Sequence, residues 1–423
     1  MSNTESQIED PKSLDTASLK KFAQAARIQL LGIVESKLDR VLADDSLARR
    51  ESERAVAELE EQIENASREQ VIERVAYTWF NRFCALRFMD VNRYTKLGAV
   101  SPAEGFSQPE ILADAKQGVI DDDWKVDSAK VLGLLDGSLS SNDPQEEAYQ
   151  LLLIGVCNSL NSIMPKMFQK IADYTELLIP DDLLSDSSIL TATREALTPE
   201  NCQNVEVIGW LYQFYISEKK DDVFAALKKG KKITPENIPA ATQLFTPNWI
   251  VRYLVENSLG RLWMLNHPDS KLVEQMDYYI RPEELETDFL RISSPEEIKI
   301  CDPACGSGHM LTYAFDLLYA IYEEQGYQAT DIPRLILTHN LYGIEIDQRA
   351  EALAAFALTM KAREKYRRFL TGGKVVQPSI CVLENISIDP EDLSAYMDKV
   401  GRDLFSGGLQ GVVNQWEEAD NFG

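Results

Sequence analysis

From Ser18 to about Asp90, apolar residues recur every three or four positions in a background rich in Ala, Leu, Glu, Arg and Gln. That period puts an apolar stripe on each of a succession of long helices. Arg74 to Met89 is apolar around most of its circumference, so this helix is expected inside a bundle, with its aromatic residues in the core. Gly, Pro, Asp and Ser interrupt the pattern between Ser101 and Glu146, and helical periodicity resumes from Glu147 to Phe168 and continues in shorter pieces to about Ala226. No internal repeat is visible. The Lys/Gly/Pro-rich passage Lys228 to Pro239 reads as a boundary, placed near Pro235, between an N-terminal helical region (1–235) and a second region (236–423).

Past the boundary, strand and helix alternate: strand Ile298 to Asp302, helix Gly308 to Gln325, strand Leu341 to Asp347, helix Gln348 to Phe369, strand Ser379 to Glu384. A β-α-β-α-β order predicts parallel strands joined by right-handed crossovers. The expected fold class is therefore α/β, a helical region followed by an incomplete doubly wound sheet with its ligand site at the carboxyl ends of the strands.

Composition changes this picture in three respects. The chain carries 43 Lys plus Arg against 68 Asp plus Glu, a formal net charge of −25, so any nucleic-acid contact has to be local rather than spread over the surface. Two stretches are basic enough to supply one, Lys219 to Lys232 and Lys361 to Lys374, although solvated helix faces account for both. Six scattered cysteines without Cys-x-x-Cys pairs argue against a disulfide framework and a zinc site and read as reduced, mostly buried thiols, and the three histidines provide no cluster for metal chemistry. The polar opening residues lack a secretory core, and no apolar run is long enough to span a bilayer, so the expectation is a soluble, cytoplasmic protein without membrane association.

The strongest chemical signal is Asp302-Pro303-Ala304-Cys305-Gly306-Ser307-Gly308, between the first strand and its helix. A Gly-x-Gly turn there allows a ligand to press on bare backbone, the helix N-terminus favours a carboxylate, and Asp302 can pair with a cationic group. In Gly343-Ile344-Glu345-Ile346-Asp347, Glu345 ends the next strand, where it can accept from both hydroxyls of a ribose, while Asp347 suits the cap of the following helix. Upstream, Thr246-Pro247 reads as a helix start with Thr246 as cap.

Asp-Pro-Ala-Cys-Gly-Ser-Gly-His followed by Tyr-Gly-Ile-Glu-Ile-Asp resembles motifs I and II of the amino-group DNA methyltransferases. Gln243-Leu244-Phe245-Thr246-Pro247 is similar to the Phe-Thr-Pro motif X of those enzymes, in the order of the gamma class. Cys381-Val382-Leu383-Glu384-Asn385-Ile386 stands where motif III contacts the cofactor's adenine, with Asn385 or Glu384 in place of the usual Asp. From Tyr77-Thr78-Trp79-Phe80 through motif III, the chain resembles the PglX-type adenine methyltransferases of BREX phage-resistance systems.

That resemblance implies a Rossmann-like fold binding S-adenosylmethionine through Phe245, Thr246, Asp302, Pro303, Ala304, Gly306, Gly308, Glu345 and Asn385, with His309 close by. It also implies adenine-N6 methylation of duplex DNA in the intact enzyme, with other defence proteins as further partners. Such transfer needs an Asn-Pro-Pro-Tyr-type tetrapeptide that accepts hydrogen bonds from the target amino group and stacks on the flipped base. No Asn/Asp/Ser-Pro-Pro-aromatic tetrapeptide occurs in the 423 residues. The chain is therefore expected to be a fragment that holds cofactor but contributes no catalytic residue and is inactive alone. The alternatives are a non-catalytic scaffold subunit, or a methyltransferase of RNA or protein.

Overall fold

The protein is described from a computed structural model. The described residues are 15–171, 174–234, 237–284, 286–371, 375–384, 388–389, 391–393 and 395–396. The chain divides into two compact units, residues 1–218 with 370–375, and residues 219–369 with 376–423. The boundary expected at Pro235 lies outside the described residues.

The first unit is helical: α1 (Thr16–Leu42), α2 (Leu47–Glu51), α3 (Glu53–Asn65), α4 (Arg68–Val91), α5 (Glu110–Lys116), α6 (Ser128–Leu135), α7 (Pro144–Asn161), α8 (Tyr174–Leu177), α9 (Ile189–Ala196) and the first half of α10 (Glu206–Lys228). Short polar side chains start the longer helices. The Asp15 carboxylate accepts from the Ser18 N–H, Ser67 caps α4, and Asp143 caps α7 just before Pro144. The buried face of α1 runs Leu19, Phe22, Ala26, Leu30, Val34, Leu38, the three-and-four spacing of one helical stripe. Helix α4 is buried nearly all round, as its sequence predicts. Trp79, Phe80 and Phe83 lie in the core, and Phe80 meets Tyr215 at 4.5 Å between ring centroids. Where the pattern breaks after α4, Asp90 turns inward and its carboxylate accepts from the backbone N–H groups of Ala99, Val100 and Ser101 at 2.9–3.1 Å.

The second unit contains α11 (Ile238–Thr242), α12 (Asn248–Val255), one π-helical turn (Glu256–Gly260), α13 (Arg261–Asn266), β1 (Ile300–Asp302), α14 (His309–Glu324), α15 (Ile332–His339), β2 (Leu341–Glu345), α16 (Gln348–Lys365) and β3 (Ser379–Val382). The strands are parallel in the order β1-β2-β3, with Asp302 opposite Gly343, Gly343 opposite Ile380, and Glu345 opposite Val382. Strand types and order match the sequence reading. All three strands are shorter than expected: β1 begins two residues late, at Ile300, and β2 and β3 each end two residues early, at Glu345 and Val382. Helix α15 is an addition to that reading.

Gly343 lets this sheet close. A Cβ there would come within 2.7 Å of Ile380 Cδ1, 2.9 Å of Cys305 Sγ and 3.1 Å of Leu311 Cδ1. Buried Asn340 fixes the entry to both β1 and β2. Its amide donates to the Pro295 and Ile298 carbonyls and its carbonyl accepts from the Tyr322 hydroxyl. Four cysteines are buried as expected, but Cys301 and Cys381 are exposed, because they alternate away from the face that packs on Leu311. Among the described residues no helix is long and apolar enough to cross a membrane, and no His/Cys/Asp/Glu group is placed to hold a metal ion.

Candidate functional site

Strand β1 delivers Asp302 to the carboxyl edge of the sheet, and the chain turns through Gly306 (φ +53°) and Gly308 (φ +83°) into α14. The two glycines serve different ends. A Cβ on Gly308 would sit 3.0 Å from Ala354 Cβ and 3.1 Å from Ala354 Cα, so this position is closed by α16, whereas a Cβ on Gly306 would meet nothing within 4 Å. Gly306 thus presents bare backbone to open space, the arrangement a close-lying ligand requires.

Glu345 reaches the same turn from the end of β2. Its Oε2 accepts from the Gly306 N–H at 2.6 Å, and its Oε1 from the N–H groups of Ile346 and Asp347 at 2.9 and 3.1 Å. Burial pushes the Glu345 carboxyl above the usual carboxylate range against the pull of these three donors. Asp302 accepts from the Ala304 N–H at 3.2 Å, and burial raises its carboxyl as well. The buried Cys305 thiol is pushed well above its ordinary value first by burial and then by the charges of Glu345 and Asp302. Among the described residues neither Asp302 nor Glu345 forms an ion pair with a Lys or Arg. The edge therefore gathers partly buried acids that have no ion-pair partner among the described residues, an environment complementary to a cationic ligand rich in hydroxyl donors.

Asp347, by contrast, caps α16 through the Arg349 N–H at 2.9 Å and pairs with the Arg349 guanidinium at 2.8 Å, the structural role its position predicts. Pro303 and Ala304 are exposed at the rim of the turn. Phe245 is brought to the first turn of α14, where its ring stacks on His309 at 4.3 Å between centroids and 13° between planes. Thr246 lies next to it, half-buried, but does not cap a helix. Pro247 occupies the cap position of α12 with an extended ψ of 140°, and no side chain bonds the first turn. The helix starts one residue later than the sequence suggests, which leaves the Thr246 hydroxyl out of reach of the N-terminal N–H groups. Asn385 lies outside the described residues, and Glu384 is exposed, accepting from the Gln348 amide at 2.9 Å.

Sequence reasoning missed one cluster. Glu256, at the π-helical turn after α12, is completely buried. Its Oε1 accepts from the Tyr313 hydroxyl at 2.6 Å and the Arg252 Nε at 3.1 Å, and its Oε2 from the Tyr278 N–H at 2.6 Å. The network ties the helix that follows Phe245-Thr246 to α14, which follows Gly308. The Arg252/Glu256 i,i+4 pair is legible in the sequence but reads there as a surface pair.

A family model described as "MmeI, DNA-methyltransferase domain" matches residues 283–384, a window holding Asp302, both glycines and Glu345. The adenine-specific methyltransferase BrxX of Escherichia coli O9:H4 (strain HS) is 46% identical over 334 residues, covering 76% of this chain and 26% of that protein. The adenine-specific methyltransferase PglX of Lacticaseibacillus casei (strain Zhang) is 33% identical over 464 residues, covering 97% of this chain and 37% of that protein. The chain thus spans only a minor part of the length of these relatives. With its glycine turn, its paired strand-end acids and these matches in agreement, the chain is a homologue of the BrxX and PglX adenine-specific methyltransferases.

Proposed function

We propose that residues 236–423 are the S-adenosylmethionine-binding portion of a DNA adenine-N6 methyltransferase with a Rossmann-like, doubly wound fold, preceded by a helical region. The observation that carries this reading is the pair of partly buried carboxylates, Asp302 and Glu345, without an ion-pair partner among the described residues, at the ends of adjacent parallel strands beside the open backbone of Gly306. The residues fit the cofactor's chemistry: an ammonium for Asp302, ribose hydroxyls for Glu345, and backbone contact along Gly306. When bound, the cofactor supplies a methyl group on a positively charged sulfonium.

The chain's own task is positioning. Asp302 draws in the cationic end. Glu345 has at most one acceptor site beyond the three occupied by backbone N–H groups, so a ribose hydroxyl either takes that site or displaces the Gly306 N–H. Phe245, held flat on His309, forms an apolar wall beside the turn, and Thr246 adds a hydroxyl next to it. Pro303 and Ala304 form the rim, and Asn385 is proposed to face the adenine. Because no Asn/Asp/Ser-Pro-Pro-aromatic tetrapeptide occurs in the sequence, this chain is proposed to hold cofactor without turning over duplex DNA by itself.

Calorimetric titration with S-adenosylmethionine tests the site. Asp302→Asn and Glu345→Ala should each weaken binding by about 1–3 kcal/mol, the worth of hydrogen bonds to charged groups. Unchanged affinity in both variants would reject the assignment. A transfer assay with labelled cofactor on duplex DNA tests the second claim, and sustained turnover by this chain alone would overturn it.

A further inference from the structure

We infer that the lysine tract Lys228, Lys229, Lys231 and Lys232, at the end of α10, is a contact surface for the phosphate backbone of duplex DNA. The inference rests on the reading of the chain as part of a DNA methyltransferase and adds to it the place where nucleic acid is held. The tract is four cations in five positions of a chain whose formal net charge is −25. All four are exposed. None forms an ion pair with a described carboxylate, although Asp and Glu outnumber Lys and Arg by 68 to 43.

The other basic stretch of the sequence is different. Lys361 is buried against Asp316 at 2.6 Å, and Lys365 lies 3.8 Å from Glu364 with its ammonium over the Tyr319 ring. Lys361 and Lys365 thus have partners of their own, whereas no lysine of the tract is ion-paired among the described residues.

Helix capping does not account for the lysines either. Two of the last carbonyls of α10 are met by backbone: the Lys229 and Lys231 N–H groups donate to the Ala226 carbonyl at 3.0 and 3.1 Å, and the Gly230 N–H to Leu227 at 2.9 Å, with Gly230 at φ +81°. This cap fixes the turn and spreads the four side chains on both sides of the glycine. Placing like charges this close together is unfavourable unless an anion answers them, and a row of phosphates does so in any sequence context. The tract is also tied to the candidate cofactor site. The Lys220 ammonium donates to the Gln243 carbonyl at 2.6 Å, two residues before Phe245. A duplex gripped at the tract would therefore be held on the same segment that leads to the Phe245-Thr246 wall.

The test compares the full chain with two charge-matched quadruple variants: K228Q/K229Q/K231Q/K232Q, and K20Q/K21Q/K125Q/K170Q, which removes four exposed lysines of the first unit. Binding of a short fluorescent duplex is measured between about 50 and 200 mM salt, where each phosphate contact contributes about 0.9 to the slope of log affinity against log salt. The tract variant should lose at least about tenfold in affinity at the low-salt end and about 3 from the slope, while the first-unit variant stays near the parent. Equal losses in both variants would mean bulk charge alone and overturn the inference. So would an unaltered tract variant, a parent chain that does not bind duplex, or binding confined to anionic lipid vesicles. S-adenosylmethionine affinity, measured on the same samples, should be unchanged in the tract variant. Absence of cofactor binding in all three proteins, with the DNA effect intact, would sink the cofactor assignment and leave the DNA surface standing.

Discussion

Gly308→Ala puts a side chain where two independent physical constraints forbid one. The backbone at Gly308 is at φ +83°, ψ 20°, a left-handed conformation that costs an L-residue about 1–2 kcal/mol. The new Cβ would also stand 3.0 and 3.1 Å from Ala354 Cβ and Cα, in the middle of α16. Neither atom is the end of a flexible side chain, so relief requires α16 to move away from the turn, an overpacking cost of about 1–3 kcal/mol. The sum, about 2–5 kcal/mol, corresponds to a melting-temperature loss of about 5–15 °C for a unit of this size. Gly306→Ala is the comparison. Its φ of +53° lies inside the small left-handed region and its Cβ points into open space, so the cost is about 1 kcal/mol. That open space is where the cofactor is proposed to lie. Differential scanning calorimetry and cofactor titration together should show stability lost in Gly308→Ala and affinity lost in Gly306→Ala. Equal destabilisation by the two substitutions would refute the packing reasoning, and unimpaired cofactor binding by a folded Gly306→Ala would refute the placement of the ligand.

Removing the buried Glu256 carboxylate leaves the Tyr313 hydroxyl, the Tyr278 N–H and the inner edge of Arg252 without their acceptor, so Glu256→Ala should cost about 2–4 kcal/mol in denaturant unfolding. A loss under about 0.5 kcal/mol, typical of a surface pair, would contradict its role. Asp90 is an acid whose folded pKa is raised to about 6, first by burial and against its backbone donors. The native state therefore keeps a proton that the unfolded chain releases near pH 4, and the stabilisation is complete below that pH and declines as pH rises to 6. Relative to Asp90→Asn, the parent should lose up to about 3 kcal/mol of stability between pH 4 and 6.5. A difference that is flat or of opposite sign would show that the N–H donors outweigh burial. Of the six thiols, Cys301 and Cys381 should react rapidly with a disulfide reagent in the native protein, and Cys84, Cys157, Cys202 and Cys305 only on unfolding. Rapid reaction of more than these two would contradict the described burial.

What the sequence determined by itself is whatever depends on a few neighbouring residues. Alternation and length mark β1, β2 and β3, Gly306 and Gly308 mark a turn that needs left-handed backbone, and Asp347 before Gln348 marks a cap. Each feature is decided by local sterics and by hydrogen bonds spanning two to four positions. Helix α15 was legible in the same way, from Pro333 near its start and the spacing of Ile332, Ile336 and Leu337, yet its short length left it below notice. The misplaced Thr246 cap turns on a single residue, because Pro247 tolerates the extended cap conformation as well as the first helical position.

Tertiary structure decided the rest, because burial and partnership depend on segments far apart in the chain. Glu345 meets the Gly306 N–H across 39 positions. Phe245 lies on His309 only because α12 packs beside α14. Glu256 passes from a surface pair to a buried hub when Tyr313 and the backbone at Tyr278 close over it. Charge obeys the same division. Sequence counts the lysines, but only the fold shows that Lys361 is committed to Asp316 while Lys228 to Lys232 stay in water, since pairing is set by distances that no local pattern encodes.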